Sequence, residues 1–190
     1  MTELLFDSLE SEIGQIYLVS DGKALCAVDF EDYRQRMMGL LNKRYGSVNL
    51  VPTNNPQGYR DRFQAYFSGD LTSLDDIPVN PGGTAFQQEV WQALRTIPVG
   101  SVATYAELAD RIHRPQACRA VGMANSQNPI AIVLPCHRVV GANGNLTGYA
   151  GGLERKRWLL DHEKKHSCLS ASVELPTRDF QQMDFLALPV

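Results

Sequence analysis

Thr104-Tyr105-Ala106-Glu107, followed by Arg114-Pro115 and then by Arg119-Ala120-Val121-Gly122-Met123-Ala124, is the stretch on which the architecture of the second half turns. In the first tetrad a threonine oxygen can accept from an early free amide, while a glutamate three residues on can return a bond to the threonine's own amide. That capping box predicts a short helix to about Ile112. Arg114-Pro115 breaks it and supplies a proline suited to the first turn of a second helix over residues 116–125. Two short helices joined by a tight turn outline a helix-turn-helix, and an ordinary helical hairpin fits the same pattern. The second helix is rich in small residues beside one arginine. Small side chains let a backbone approach a groove closely, and they also suit tight helix packing in a core; the pattern alone is compatible with both.

Working outward, Thr84-Ala85-Phe86-Gln87 is another capping box, with Phe86, Val90, Trp91 and Leu94 at helical spacing, so a helix is predicted over 85–96. Downstream, Ile130-Ala131-Ile132-Val133-Leu134-Pro135-Cys136-His137-Arg138-Val139-Val140 reads as an apolar strand running into a proline turn that presents a cysteine beside a histidine and an arginine. Asn143-Gly144 signals a hairpin turn and Gly148-Tyr149-Ala150-Gly151-Gly152 a flexible loop, before a final helix carrying Trp158, Leu159, Leu160 and Glu163. The N-terminal third reads as three short strands over 4–6, 15–20 and 24–30, followed by helices over 33–45 and 59–67. Residues 71–83 are rich in Pro, Asp and Gly, which places a domain boundary there. The expectation is an α/β (α+β) protein: a small three-stranded sheet with helices over 1–80, a mostly helical domain over 81–165, and a flexible tail over 166–190.

With 190 residues at 44% hydrophobic, the chain can bury a real core. Its formal net charge of −3 is unevenly spread: residues 1–80 hold 7 Lys+Arg against 12 Asp+Glu, and residues 81–165 hold 10 against 6. A polyanion would meet the second half. No apolar run is long enough to span a bilayer, and Met1-Thr2-Glu3 carries acid where a secretion signal would carry base, so a cytoplasmic protein is expected. Cys26, Cys118, Cys136 and Cys168 show no Cys-x-x-Cys spacing and would remain thiols in a reducing compartment.

One of these thiols can be a reagent. A cysteine reacts as thiolate, and a neighbouring histidine or cation raises the thiolate fraction. From a free pKa near ~8.5 about 3% is ionised at pH ~7, so full ionisation gains at most roughly 30-fold. Most of any acceleration must therefore come from holding the target atom in line and stabilising the leaving group.

Pro135-Cys136-His137-Arg138-Val139-Val140, with Arg119-Ala120-Val121-Gly122 and Asn128-Pro129 before it and Tyr149-Ala150-Gly151-Gly152 after it, resembles the O6-alkylguanine-DNA alkyltransferases in their bacterial single-unit form. The likeness is close over residues 84–163 and loose in the N-terminal third. It implies a ribonuclease H-like N-terminal domain and a suicidal repair reaction, in which an alkyl group passes from guanine O6 in double-stranded DNA to Cys136. By the same resemblance His137 is the base acting through a water, Glu163 orients it, and Asn128 ties the recognition helix to the active-site turn. Tyr105 helps rotate the nucleotide out of the duplex and donates to guanine N3, while Arg119 takes the vacated place in the stack; extrusion is required because the O6 carbon cannot be reached in line within a duplex. Thr104, Ala120, Gly122 and Ala124 would face the minor groove, and Ala131, Val139, Tyr149 and Ala150 would line the pocket. No cofactor and no metal are expected, since Cys26 lacks the additional Cys and His residues that bind zinc in some relatives. Ala131 stands where some relatives have a pocket proline, which bears on sensitivity to benzyl-type pseudosubstrates.

The chain is expected to be a monomer in solution. Near its end Gln182-Met183-Asp184-Phe185-Leu186 resembles, with its last two hydrophobic residues exchanged, the glutamine-led peptides that bind bacterial sliding clamps. Rival classes are a thiol hydrolase, which lacks an obvious oxyanion hole, a recognition module, against which Cys136 argues, and a plain DNA-binding helix-turn-helix, which leaves the 135–138 turn unexplained.

Overall fold

The computed structural model describes residues 1–171. Its N-terminal part is a four-stranded sheet in the order β3-β2-β1-β4, built from β1 (Thr2–Leu9), β2 (Ile16–Ser20), β3 (Leu25–Phe30) and β4 (Val48–Pro52). The first three strands form the expected antiparallel meander, with turns at Ser11–Gly14 and Asp21–Ala24. The Asp21 carboxylate accepts from the amides of Lys23 and Ala24, which sharpens the second turn.

The fourth strand corrects the three-stranded expectation. After α1 (Arg34–Tyr45) the chain returns as β4 and pairs parallel to β1, from Thr2↔Val48 to Phe6↔Pro52. A short, half-buried edge strand carries weak alternation, and Pro52 is tolerated because it ends the edge strand. β2 and β3 are buried along their whole length because both faces of the sheet are covered. On one face Leu4, Tyr17, Val19 and Ala27 pack with Met37 and Leu41 of α1. On the other, Ile16, Leu18, Val28 and Phe30 join Phe63 and Tyr66 of α2 (Tyr59–Phe67) and a core that continues into the second half through Trp91, Leu108, Val121 and Leu159.

The segment 71–83 is not a loose connection. Leu71, Leu74 and Ile77 enter that core, and β3 is held to it by Leu25 N–H donating to the Pro78 carbonyl and Asn80 N–H donating to the Leu25 carbonyl. Beyond it come α3 (Ala85–Leu94), β5 (Ala103–Thr104), α4 (Tyr105–Arg111), α5 (Cys118–Ser126), β6 (Val139–Val140) and α6 (Leu153–Ala171). Both capping boxes form: Thr84 with Gln87, and Thr104 with Glu107. Pro115 opens a 3-10 turn that leads into α5, completing two helices around a tight turn.

The apolar run 130–134 is not a strand. It makes a single parallel bridge, Val28↔Ile130, and then coils, with Val133 N–H donating to Ala131, Leu134 N–H to Ile130 and Cys136 N–H to Leu134. Ile132 lies in the left-handed region at φ 71°, a conformation that costs a β-branched residue about 1–3 kcal/mol and persists only where the surroundings impose it. The Asn143-Gly144 turn closes with Gly141 N–H donating to the Asn145 carbonyl, but it does not join a hairpin among the described residues: β6, which leads into it, pairs parallel with β5.

α6 is helical from Leu153 to Ala171, so the first part of the expected tail belongs to the helix; the rest of the tail, including residues 182–186, lies outside the described residues. Among the described residues no helix is long and apolar enough to cross a membrane.

Candidate active site

Cys136 opens a 3-10 turn, Cys136–Arg138, that Pro135 starts and β6 ends. The turn is held from just beyond α5: the Asn128 side chain donates to the Leu134 carbonyl at 2.7 Å and accepts from Ile130 N–H at 3.0 Å. One amide thus bonds two backbone groups of the coil that precedes the cysteine. Arg36 of α1, ion-paired with Asp29 at 2.6 Å, donates to the carbonyls of Ser126 and Asn128 and braces the same junction from the N-terminal domain.

His137 and Glu163 are completely buried and joined by a 2.8 Å hydrogen bond from His137 Nε2 to Glu163 Oε1. Glu163 also accepts from the Tyr66 hydroxyl at 2.9 Å, from Arg138 Nε and Nη2 at 2.9 Å each, and from Gly100 N–H at 3.3 Å. Burial alone would raise this carboxyl, but His137 and Arg138 together hold it well below the usual carboxylate range. An ionised Glu163 must receive a proton from Nε2, which leaves Nδ1 as the unprotonated nitrogen, and Nδ1 has no hydrogen-bonding partner among the described residues. Burial lowers the pKa of His137 even against the attraction of Glu163, so the ring is a neutral base at neutral pH.

Cys136 is only 5% exposed, and burial pushes its thiol up, opposed by a hydrogen bond from the Asn128 side chain and by the positive charges of Arg36 and Lys156. Burial therefore disfavours a thiolate at Cys136. The thiol waits protonated beside a neutral base. Lys156 is buried as well; its ammonium donates to the carbonyls of Val139 at 2.6 Å and Thr147 at 2.7 Å, and burial draws its pKa down to about 8. It joins β6 to the loop that carries Tyr149.

Tyr105, half-buried at the start of α4, stands between two glycines. A Cβ on Gly122 would lie 3.8 Å from its ring, and one on Gly148 would lie 3.6 Å from its hydroxyl. Tyr105 thus lies close to both α5 and the loop that carries Tyr149. Thr104 caps α4; Ala131 and Val139 are buried near the cysteine turn; Ala150 is half-buried, and the buried Tyr149 hydroxyl has no hydrogen-bond partner among the described residues. Arg119 and Ala120 lie on the exposed face of α5, together with Met123, which is 61% exposed. Ala124 departs from the groove-facing expectation: it is buried, with its carbonyl accepting from the Trp91 indole at 2.9 Å, so it packs α5 on α3.

Tyr66, Arg138, Arg36 and Lys156 were not singled out as site residues from sequence. Arg138 stood inside the quoted motif, but nothing local reveals that its guanidinium turns inward to Glu163; Tyr66 and Arg36 come from distant elements.

The family model described as 6-O-methylguanine DNA methyltransferase, ribonuclease-like domain, matches residues 4–81, and that described as 6-O-methylguanine DNA methyltransferase, DNA binding domain, matches residues 85–165. The chain belongs to the 6-O-methylguanine DNA methyltransferase family. Among methyltransferases of this family, the methylated-DNA–protein-cysteine methyltransferase of Shigella flexneri is 47% identical over 166 residues, covering 86% of this chain and 97% of that one. The Salmonella typhimurium protein of the same name is 49% identical with the same coverage. The Mycobacterium tuberculosis O6-methylguanine methyltransferase structure superposes with a TM-score of 0.71 at 41% identity, covering 86% of this chain and 94% of that one. The Mycobacterium tuberculosis protein in complex with DNA gives 0.73 at 41% identity, covering 85% and 94%.

Proposed function

We propose that the protein repairs DNA by direct reversal, taking a methyl or larger alkyl group from O6-alkylguanine onto Cys136 in one irreversible event and without a cofactor. The observation that carries this reading is the Pro135-Cys136-His137 turn, in which a buried thiol adjoins a neutral histidine whose Nδ1 is uncommitted and whose other nitrogen is fixed by an ionised Glu163. Nδ1 takes the thiol proton through a water as sulfur attacks the alkyl carbon; the S–C bond forms, the C–O6 bond breaks, the Tyr105 hydroxyl stabilises the departing guanine anion by donating a hydrogen bond to N3, and the proton held by His137 returns to the guanine through solvent. The resulting thioether offers no route back to a thiol, so each molecule acts once.

Double-stranded DNA is the partner, met at the exposed face of α5 with Arg119 entering the stack of the extruded nucleotide. Ala120 and Gly122 permit a close approach to the minor groove, and the protein works as a monomer in the cytoplasm. O4-alkylthymine fits the same transfer chemistry. Residues 182–186 are proposed as a sliding-clamp contact, which a tail peptide tests: no competition for a clamp at high peptide concentration overturns it.

Intact mass spectrometry after incubation with an O6-methylguanine duplex tests the main reading. A gain of about one methylene per molecule, absent in Cys136→Ala, is the expected result. Restored guanine with unmodified protein identifies a turnover catalyst instead, and tight binding without reaction identifies a recognition module.

A further inference from the structure

Arg155, in the first turn of α6, is absent from the chemistry above, yet its guanidinium holds two distant parts of the molecule together. Nε donates to the Ile13 carbonyl at 2.8 Å; Nη1 donates to the Asp32 carboxylate at 2.9 Å and to the Gly151 carbonyl at 3.1 Å. The cation also lies 4.3 Å over the Phe30 ring. Ile13, Phe30 and Asp32 belong to the N-terminal sheet and its connections, whereas Gly151 belongs to the loop that carries Tyr149 and Ala150.

The fit at both contacts requires glycine. Gly14 has φ 104°, and a Cβ there would lie 3.2 Å from Arg155 Nη2, so its bare backbone leaves the guanidinium its room beside Ile13. A Cβ on Gly151 would lie 2.5 Å from the Phe30 ring and 2.8 Å from the Tyr149 ring, so loop, β3 and Tyr149 are in mutual contact at the one position where no side chain intervenes. Phe30 is thus covered by Gly151 on one side and engaged by Arg155, with the Tyr149 ring against the same glycine.

We infer that Arg155 is a positioning residue for alkyl transfer: by tying Gly151 to β3 and to the turn before β2, it fixes the Tyr149-Ala150 wall of the pocket and gives the N-terminal domain a part in the transfer step. This rests on the function proposed above. It does not require Arg155 to touch DNA or substrate; the effect passes through Tyr149.

Single-turnover transfer from an O6-methylguanine duplex, measured across DNA concentrations, tests it in the full chain. Arg155→Ala lowers the saturating rate by about tenfold or more while the half-saturating DNA concentration stays within about threefold. Arg155→Lys falls between, because a single ammonium cannot reach Ile13, Asp32 and Gly151 together. In a Tyr149→Ala background, Arg155→Ala costs less than about threefold, since the group it positions is gone. An equal loss in both backgrounds overturns the inference, as does a loss confined to half-saturation, which would make Arg155 a DNA contact. If Arg155→Ala does not fold, Asp32→Asn, which keeps the Ile13 and Gly151 bonds, is expected to lower the saturating rate by about two- to threefold, and no loss overturns the inference. Absence of transfer by the unaltered protein sinks the proposed function itself and the inference with it, an outcome distinct from any pattern among the variants.

Discussion

Two regions of this protein, the surroundings of Glu163 and the outer face of α5, are built on opposite principles. Around Glu163 every charge is enclosed and answered: Tyr66, His137, Arg138 and Gly100 all donate to one carboxylate, and Arg138 passes a further bond of 2.7 Å to the Ile97 carbonyl. On α5, Arg119 and Met123 stand exposed, and flatness is created by Ala120 and Gly122. The enclosed region must hold one protonation state before substrate arrives, because reorganising dipoles during the reaction would cost rate. Under the function proposed above, the outer face meets DNA of any sequence and benefits from adaptable contacts to backbone and groove.

The contrast breaks first at Glu163. Removing the carboxylate in Glu163→Ala strands Arg138 as a buried cation and costs about 3–5 kcal/mol of stability, read in urea unfolding, with loss of alkyl transfer. A variant of near wild-type stability would show that the buried network is not the rigid element described here.

A pH titration of stability sharpens the same point. Glu163 and His137 both have folded-state pKa values depressed below their unfolded ones. For a depressed group the stabilisation is complete above the unfolded value, near ~6.5 for His and ~4.3 for Glu, and is lost as pH falls from there toward the folded value. The unfolding midpoint should therefore drop from pH ~7 to pH ~4, with a smaller drop in a His137→Asn variant. A flat profile in the parent protein would contradict the assigned ionisation states.

Tyr66→Phe should cost about 1.5–3 kcal/mol, the range for a hydrogen bond to a charged group, and should lower transfer less than Glu163→Ala does. On the other side of the comparison, Arg119→Ala should leave stability within about 0.5 kcal/mol while weakening DNA binding. If Arg119 wedges into the stack, the dependence of affinity on salt stays unchanged; if it pairs with phosphate, the slope falls by about one. Thr104→Ala, which removes the cap of α4, should cost about 1 kcal/mol of stability.

Local signals in the chain were enough for much of this. Thr84-Gln87 and Thr104-Glu107 each carry their whole helix start within four residues, and Pro115 marks the next, so α3, α4 and α5 could be placed from sequence. The link to Glu163 rested on the family resemblance alone, whereas the Cys136-His137 pair was legible in its proline turn. β4 was not, since its pairing with β1 is parallel, non-local and at a half-buried edge. The run 130–134 misled because continuous apolarity reports burial and not conformation: once Asn128 bonds the coil's backbone groups, a buried non-strand is possible.

The sequence by itself determined the Cys136-His137 pair in its proline turn and the two short helices around Pro115, and through its resemblance the family, because these depend on residue types at short, fixed separations. Tertiary structure alone decided which way the charges face: that Arg138 turns inward to Glu163, that Tyr66 and Arg36 reach the site from the N-terminal domain, that Ala124 packs inside, and that the Cys136 thiol is held protonated. Desolvation and long-range hydrogen bonding depend on what surrounds a group in space, and no local window of sequence contains that information.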